Sequence, residues 1–355
     1  MSLQAGSMLE ANIVYWYSQS DMPRDGGGLR ALAWQEALGA LGYKATIHPL
    51  RSVNQGVGRT SRLRAAKKAL IPMPLESGLP KLPRADLNVI TVPAVFASAA
   101  KTLPKSTLIF DWMDLWSVNA RTMGKSALSL QPGGFVQSLW WKHLESKLPD
   151  QAIGNAFAGH HDFLSLSKRA SGESAWLPTP VRLPAVATKR STGVIRRIGF
   201  LGNMKYPPNV MSLQKFLAEY SDRMKALELE LVVAGFGSDI VRSWNTEATV
   251  LGPVHDVADF YSSVDAVVVP IDHGGGIKVK AVEALVYGVP VFGTEHVRQG
   301  FERAFHPYVG HLDDLMSGAL THPTPVPADV VRNAFSEDSF RAGVKDLLDR
   351  TGLSR

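Results

Sequence analysis

The chain has 355 residues, 45% of them hydrophobic and 20% charged, a balance ordinary for globular proteins and a length that calls for two domains. It contains no cysteine, which excludes disulfides, thiolate metal ligands and cysteine nucleophiles together. No apolar run reaches the roughly 18 residues of a membrane span, the N-terminus lacks the build of a secretion signal, and a net charge of +6 favours anionic partners, so a cytoplasmic protein is expected.

Residues 1–9 read as a tag remnant or loose tail. "NIVYWYSQ" (12–19) is rich in β-branched and aromatic residues and predicts a buried strand. "DMPRDGGG" follows as a loop, "LRALAWQEALGALGY" has helical apolar spacing ended by Gly42, and "KATIHPL" is a second strand. This is a βαβ unit, which implies a parallel sheet with a right-handed crossover. "DLNVITVPAV" and "STLIFDWMDLWS" predict further strands, "GFVQSLWWKHLESKLP" a helix, "DQAIGNAF" a short strand and "AGHHDFLSLSKRA" another helix. Four prolines in "AWLPTPVRLPAVATKRSTG" (175–193) mark an extended linker.

Alternation then resumes. "VIRRIGFLG", "LELVVAGFG", "ATVLGPV", "AVVVPI" and "VPVFGT" read as strands, the last being the final clear one. "VMSLQKFLAEYSDRMKAL" and "DVADFYSSV" read as helices between them, and "SEDSFRAGVKDLLDRTGL" as a capped terminal helix. The expected fold is α/β: two Rossmann-like domains facing each other across a cleft, with the C-terminal helix packing back toward the N-terminal domain. The expected boundaries are 1–180 for the first domain, 181–193 for the linker, 194–335 for the second domain and 336–355 for the helix. Ligands of such sheets sit at the carboxyl ends of the strands.

Arg51, Arg59, Arg62, Arg64, Lys67 and Lys68 form a basic run without an acid among the six. It is either a solvated face or a surface for lipid headgroups or an acidic acceptor. Nucleic acid is not expected, because no aromatic side chains are interleaved for stacking.

The stretch "PIDHGGGIKVKAVEALVYGVPVFGTE" (270–295) sets Gly274, Gly275 and Gly276 before a helix carrying Lys278, Lys280 and Glu283. Glycines let an anion approach backbone amides, and the first turn of a helix offers unsatisfied N–H groups at the positive end of its dipole. The two lysines would neutralise a diphosphate without a metal, and Glu283 would accept hydrogen bonds from ribose hydroxyls. The plain alternative is a glycine loop with exposed lysines and a Lys280–Glu283 helix pair.

"VVVPIDHGGGIKVKAVEALVYGVPVFGT" resembles the nucleotide-sugar-binding signature of the retaining, GT-B type glycosyltransferases of the family four group. "IGFLGNMKYPPNVMSLQKFLAEY", "LVVAGFGSD" and "GPVHDVADFYSSVDAVVVP" extend the resemblance over 195–300. It implies transfer of a sugar from a UDP- or GDP-linked donor to a glycan or lipid-linked acceptor, with retention, no metal and no further cofactor. Cell-surface polysaccharide or glycolipid synthesis, at the inner face of a membrane met through Arg51–Lys68, fits such an acceptor.

By the same resemblance Glu283 matches the ribose-binding acid and Lys278 and Lys280 the basic positions beside the diphosphate. The first glutamate of the family's paired motif falls at Gly275, which leaves sugar recognition to amides around Gly275, Gly276 and Ile277. Asn203, after Gly202, stands where members carry arginine and Pro208 where they carry lysine, with Lys205 close enough to substitute. Val254 and His255 fall where main-chain atoms hold the base. Gly27 and Gly28, with Gly26, form a second cradle at the first helix. Asp111 and Asp114 end a strand where groups contacting sugar or acceptor belong, although Met113 replaces the family's histidine and Asp114 also suits a helix cap. The expected catalytic set is Asp111, Asp114, Lys280 and Glu283; His160 and His161 read as structural or surface residues. A nucleotide-sugar epimerase, a phosphorylase and a non-catalytic nucleotide-sugar-binding subunit are the competing readings. A dinucleotide-dependent dehydrogenase fits poorly, because no Gly-x-Gly-x-x-Gly follows a strand with an acid about twenty residues on.

Overall fold

The computed structural model describes residues 8–22, 25–50, 78–125, 131–184, 194–318 and 323–354. The basic run Arg51–Lys68 and most of the predicted linker lie outside the described residues.

The chain divides into two units. The first comprises Met1–Pro180, Gly274–Gly276 and Glu337–Arg355, and the second Val181–His273 and Ile277–Ser336.

In the first unit the strands are β1 (Leu9–Tyr15), β2 (Tyr43–Pro49), β3 (Leu87–Ile90), β4 (Leu108–Trp112), β5 (Gly154–Phe157) and β6 (Glu173–Trp176). They form one parallel sheet in the order β2-β1-β3-β4-β5-β6. Its helices are α1 (Gly26–Ala40), α2 (Phe96–Thr102), α3 (Trp116–Lys125), α4 (Gln131–Glu145) and α5 (His160–Leu166), joined by the C-terminal helix α12 (Glu337–Thr351). Every residue of β3, β4 and β5 is buried, as the strands of a parallel sheet covered on both faces must be. Phe340, Val344, Leu347 and Leu348 of α12 belong to this core, and the Phe340 ring meets Trp34 of α1 edge-on at 5.6 Å. The terminal helix therefore completes the N-terminal unit, as the sequence reading expects.

In the second unit the strands are β7 (Arg197–Leu201), β8 (Glu230–Ala234), β9 (Thr249–Gly252), β10 (Ala266–Val269), β11 (Val291–Gly293) and β12 (Val309–His311). All are parallel, in the order β12-β11-β10-β7-β8-β9, the dinucleotide-binding order with its reversal between β7 and β10. The helices are α6 (Pro207–Ala226), α7 (Val257–Ser262), α8 (Val279–Val286), α9 (Glu295–Gln299), α10 (Leu312–Ser317) and α11 (Ala328–Phe335).

Several elements differ from the sequence reading. Leu9 opens β1, so Leu9 is not part of a loose tail. Ala175 and Trp176 end the edge strand β6 rather than starting a linker; Gly154 to Phe157 pair with Glu173 to Trp176. Four residues followed by prolines give too little alternation to be legible. VPVFGT is not the last strand either, because β12 pairs beyond it. Gly26–Gly28 are the first turn of α1, not a loop before it. Among the described residues no helix is long and apolar enough to cross a membrane.

Candidate donor site and its surroundings

The reversal between β7 and β10 puts two loops at the carboxyl edge of the second sheet. After β7, the Gly202 amide donates to Ala234 O at 3.0 Å and the Met204 amide to Phe236 O at 2.8 Å, tying this loop to the one after β8. Gly235 has φ +116°, and a Cβ there would lie 2.2 Å from Gly202 O, so only glycine fits. Asn203 is exposed, and its Oδ1 accepts the Lys205 amide at 2.9 Å in a local turn. Lys205 is exposed, with Nζ 4.5 Å above the Phe236 ring. Val254 and His255 lie between β9 and α7, the first half-buried and the second exposed.

After β10, Ile277 is buried, Lys278 occupies the cap position of α8 and no side chain caps the first turn. Lys280 Nζ donates to Asn209 Oδ1 at 3.0 Å and sits 4.3 Å from the Phe200 ring centroid. A Cβ on Gly202 would come 3.0 Å from that nitrogen. Burial, reinforced by the charge of Lys278 and opposed by Glu283, lowers the Lys280 ammonium to about 7. Burial also raises the Glu283 carboxyl, against the hydrogen bond from Tyr261 and the charge of Lys280. The Tyr261 hydroxyl donates to Glu283 Oε2 at 3.1 Å, and its ring stacks on Tyr287 at 4.7 Å. Burial holds the Tyr261 phenol well above its ordinary value, so it remains a donor.

Gly274–Gly276 group with the first unit, and their surroundings there explain their identity. A Cβ on Gly275 would lie 2.3 Å from Leu115 N, and one on Gly276 would lie 2.1 Å from Met113 O. The Gly276 amide donates to Asp162 Oδ2 at 2.7 Å. Asp162 is buried on α5, and Glu145, buried at the end of α4, accepts the Ser117 amide at 2.9 Å. Burial pushes the Glu145 carboxyl up to about 7; the Ser117 hydrogen bonds oppose the shift and the nearby Asp162 charge adds to it.

Asp111 is fully buried in an ion pair. Arg30 Nε donates to both of its oxygens at 2.9 Å, Arg30 Nη2 donates to Oδ1 at 2.6 Å, and Nη1 reaches Leu177 O at 2.6 Å. The task of Asp111 in this geometry is to neutralise Arg30. Asp114 accepts a hydrogen bond from the Asn119 amide group. A Cβ on Gly27 would lie 2.6 Å from the Tyr15 hydroxyl, and the Gly28 amide is capped by Asp25 Oδ1 at 3.0 Å, so that amide is occupied. The His160 ring packs on Trp176 at 5.3 Å. Among the described residues no cluster of three or more carboxylate or imidazole groups is arranged to hold a metal ion.

The structure thus joins Gly202, Lys280 and Glu283 in one polar cluster and adds three residues that the sequence reading missed: Phe200, Asn209 and Tyr261. Asn209 was open to notice as an amide just inside the Pro-Pro start of α6. Tyr261 and Phe200 sit in apolar runs that give no such signal.

Residues 195–309 match the family of group 1 glycosyl transferases. No curated protein matches the chain in sequence. Among solved structures, sucrose-phosphate synthase from Thermosynechococcus elongatus is similar at TM-score 0.57 and 12% identity, over 98% of this chain and 91% of that one. Anabaena Alr3699/HepE in complex with UDP and glucose is similar at TM-score 0.57 and 10% identity, over 96% and 99%. The chain spans about half the length of TarM, covering 52% of it at TM-score 0.46 and 11% identity with 75% of this chain aligned. Residues 195–309 are thus similar to the group 1 glycosyl transferases, in a chain whose two sheets take the α/β fold of the GT-B glycosyltransferases.

Proposed function

We propose that the chain moves a sugar from a UDP- or GDP-linked donor to a glycan or lipid-linked acceptor, with retained configuration and without a metal. The observation that carries this reading is Lys280, a cation at the reversal point of a Rossmann sheet. Asn209 and Phe200 hold it, and among the described residues no carboxylate lies within ion-pair distance. A diphosphate placed there meets Lys280, Lys278 and the uncapped first turn of α8. Glu283, kept in place by Tyr261, suits ribose hydroxyls. The group 1 match and the likeness to HepE, solved with UDP and glucose, support the donor class.

The chemistry follows from where charge develops. As the bond between the anomeric carbon and the diphosphate oxygen breaks, that oxygen gains charge, which prearranged cations and amides stabilise. The acceptor hydroxyl enters on the same face, and its proton passes to the leaving phosphate. In this reading the chain works at the inner face of a membrane, in polysaccharide or glycolipid synthesis, with Arg51–Lys68 meeting the lipid surface.

The test is a thermal-shift panel of nucleotides and nucleotide sugars. At a hundredfold excess over Kd a ligand stabilises by about 2.7 kcal/mol, a visible shift. A shift with one diphosphate nucleotide, lost in Glu283→Ala, supports the site; no shift with any nucleotide overturns it. The complete engagement of Asp111 by Arg30 favours a second reading, a nucleotide-sugar-binding subunit without turnover of its own. Slow hydrolysis of the donor by the isolated protein would exclude that.

A further inference from the structure

Asn209 lies inside the first turn of α6, buried, with its amide group used at both ends. Its Nδ2 donates to Asn203 O at 2.9 Å, and its Oδ1 accepts from Lys280 Nζ at 3.0 Å. A carbonyl oxygen can only accept, so the bond to Asn203 fixes which end of the amide faces the lysine. The loop after β7 is itself anchored to the loop after β8 through Gly202 and Met204. Lys280 is therefore aimed by a chain of contacts that starts in the sheet and passes through a neutral oxygen.

We propose that Asn209 is the positioning residue of the donor site, holding Lys280 through a neutral acceptor so that its positive charge stays available to a diphosphate. This rests on the donor-site reading above. The groups around Lys280 agree with it. Lys278 and Glu283 share its helix, Phe200 offers a ring face from β7, and the Tyr261 hydroxyl on α7 lies 3.4 Å from Lys280 O. Among the described residues, the carboxylate whose charge acts on Lys280 is Glu283, and the Tyr261 hydroxyl engages it. An aspartate at 209 would have nearly the same shape, but it would place a second anion on the lysine. The resulting internal ion pair would compete with the ligand, and its free carboxylate oxygen would face Asn203 O.

The experiment compares wild type, Asn209→Asp, Lys280→Met and the double variant, each in the full chain. Isothermal titration with UDP and GDP is run from pH 6 to 9, and the Lys280 amine is followed by NMR in lysine-labelled protein. In Asn209→Asp, diphosphate affinity should fall tenfold or more while uridine or guanosine binding is unchanged, and the Lys280 titration should move to higher pH. In the Lys280→Met background the same Asp substitution should have little further effect on affinity. Equal losses in both backgrounds with an unmoved titration would overturn the proposal and leave Asn209 as a loop support. Asn209→Ser, which keeps a neutral acceptor oxygen, guards against a misfolded Asp variant and should retain more affinity than Asn209→Leu. If wild type binds neither diphosphate, the donor reading fails; the shifted Lys280 titration would then still support the aiming role, and an unmoved one would overturn both.

Discussion

Each unit holds a cation on a helix that follows a strand, Arg30 buried and Lys280 half-buried, and the two are treated in opposite ways. Arg30 of α1 meets Asp111 of β4 through three N–H···O contacts, with side-chain exposures of 1% and 0%. Lys280 Nζ of α8 meets, among the described residues, an amide oxygen and an aromatic face. A guanidinium with a fixed fork of donors suits permanent pairing with a carboxylate. An ammonium that keeps part of its charge uncompensated suits a partner that comes and goes. The two cations differ in their pairing: a carboxylate closes on Arg30, and a neutral oxygen holds Lys280.

The largest effect should come from breaking the closed pair. Asp111→Ala leaves Arg30 buried without an anion and should cost about 3–5 kcal/mol in urea unfolding. The double change Arg30→Met, Asp111→Leu should recover most of that. A loss under about 1 kcal/mol for the single variant would mean that Arg30 reaches water, and the contrast would collapse. On the open side, Lys280→Ala should lower turnover of the preferred nucleotide sugar about 100-fold with the fold intact, the scale seen when one transition-state donor is lost. Full activity would remove Lys280 from the site.

A subtler test reads the same lysine through pH. Lys280 falls to about 7 in the folded chain from an ordinary 10.5, so between those values the unfolded chain holds the extra proton. Its burial then costs most below pH 7, and the cost fades as pH rises toward the unfolded value. Lys280→Met should raise the melting temperature most near pH 6 and hardly at all near pH 10. A gain independent of pH would point to packing alone. Glu145, raised by burial to about 7 from 4.5, gives the mirror case with the smallest effect. The folded chain holds the extra proton between those values, so stability falls as pH rises through them. Glu145→Gln should be nearly silent at pH 4.5 and stabilising by a few degrees at pH 8, measured by calorimetry. The reverse trend would mean that the carboxylate is stabilised where it sits.

Much of the fold was legible because β-rich apolar runs alternate with helical spacing, and strands such as Ala266–Val269 are buried throughout. Short edge elements were not legible: Glu173–Trp176 and Val309–His311 owe their conformation to a neighbouring strand, and their own residues carry little pattern. The lysine–glutamate motif stood out through residue type and spacing. Its partners did not, because Asn209 and Tyr261 act through tertiary contacts between residues 71 and 22 positions apart. Arg30 was hidden for the same reason. In "LRALAW" it looks like a surface residue of a helix, and only the fold brings Asp111 to it. The glycines at 275 and 276 were read as room for an anion, while the structure shows them also making way for the Met113–Leu115 backbone.

The interleaving of the two units also shapes how the chain comes to be folded on a ribosome. Val181–Ser336 contains the whole of the second unit, so that sheet can close as soon as its own strands have emerged. The first unit is translated earlier yet stays unfinished longer, because Trp34 and Tyr43 wait for Phe340 and Leu353, which lie beyond the whole of its neighbour. Until Glu337–Arg355 arrives, the face that α12 covers is open apolar surface, the kind that chaperones hold and aggregates form on. Truncation before Glu337 should therefore harm the half of the protein that is farther away in sequence.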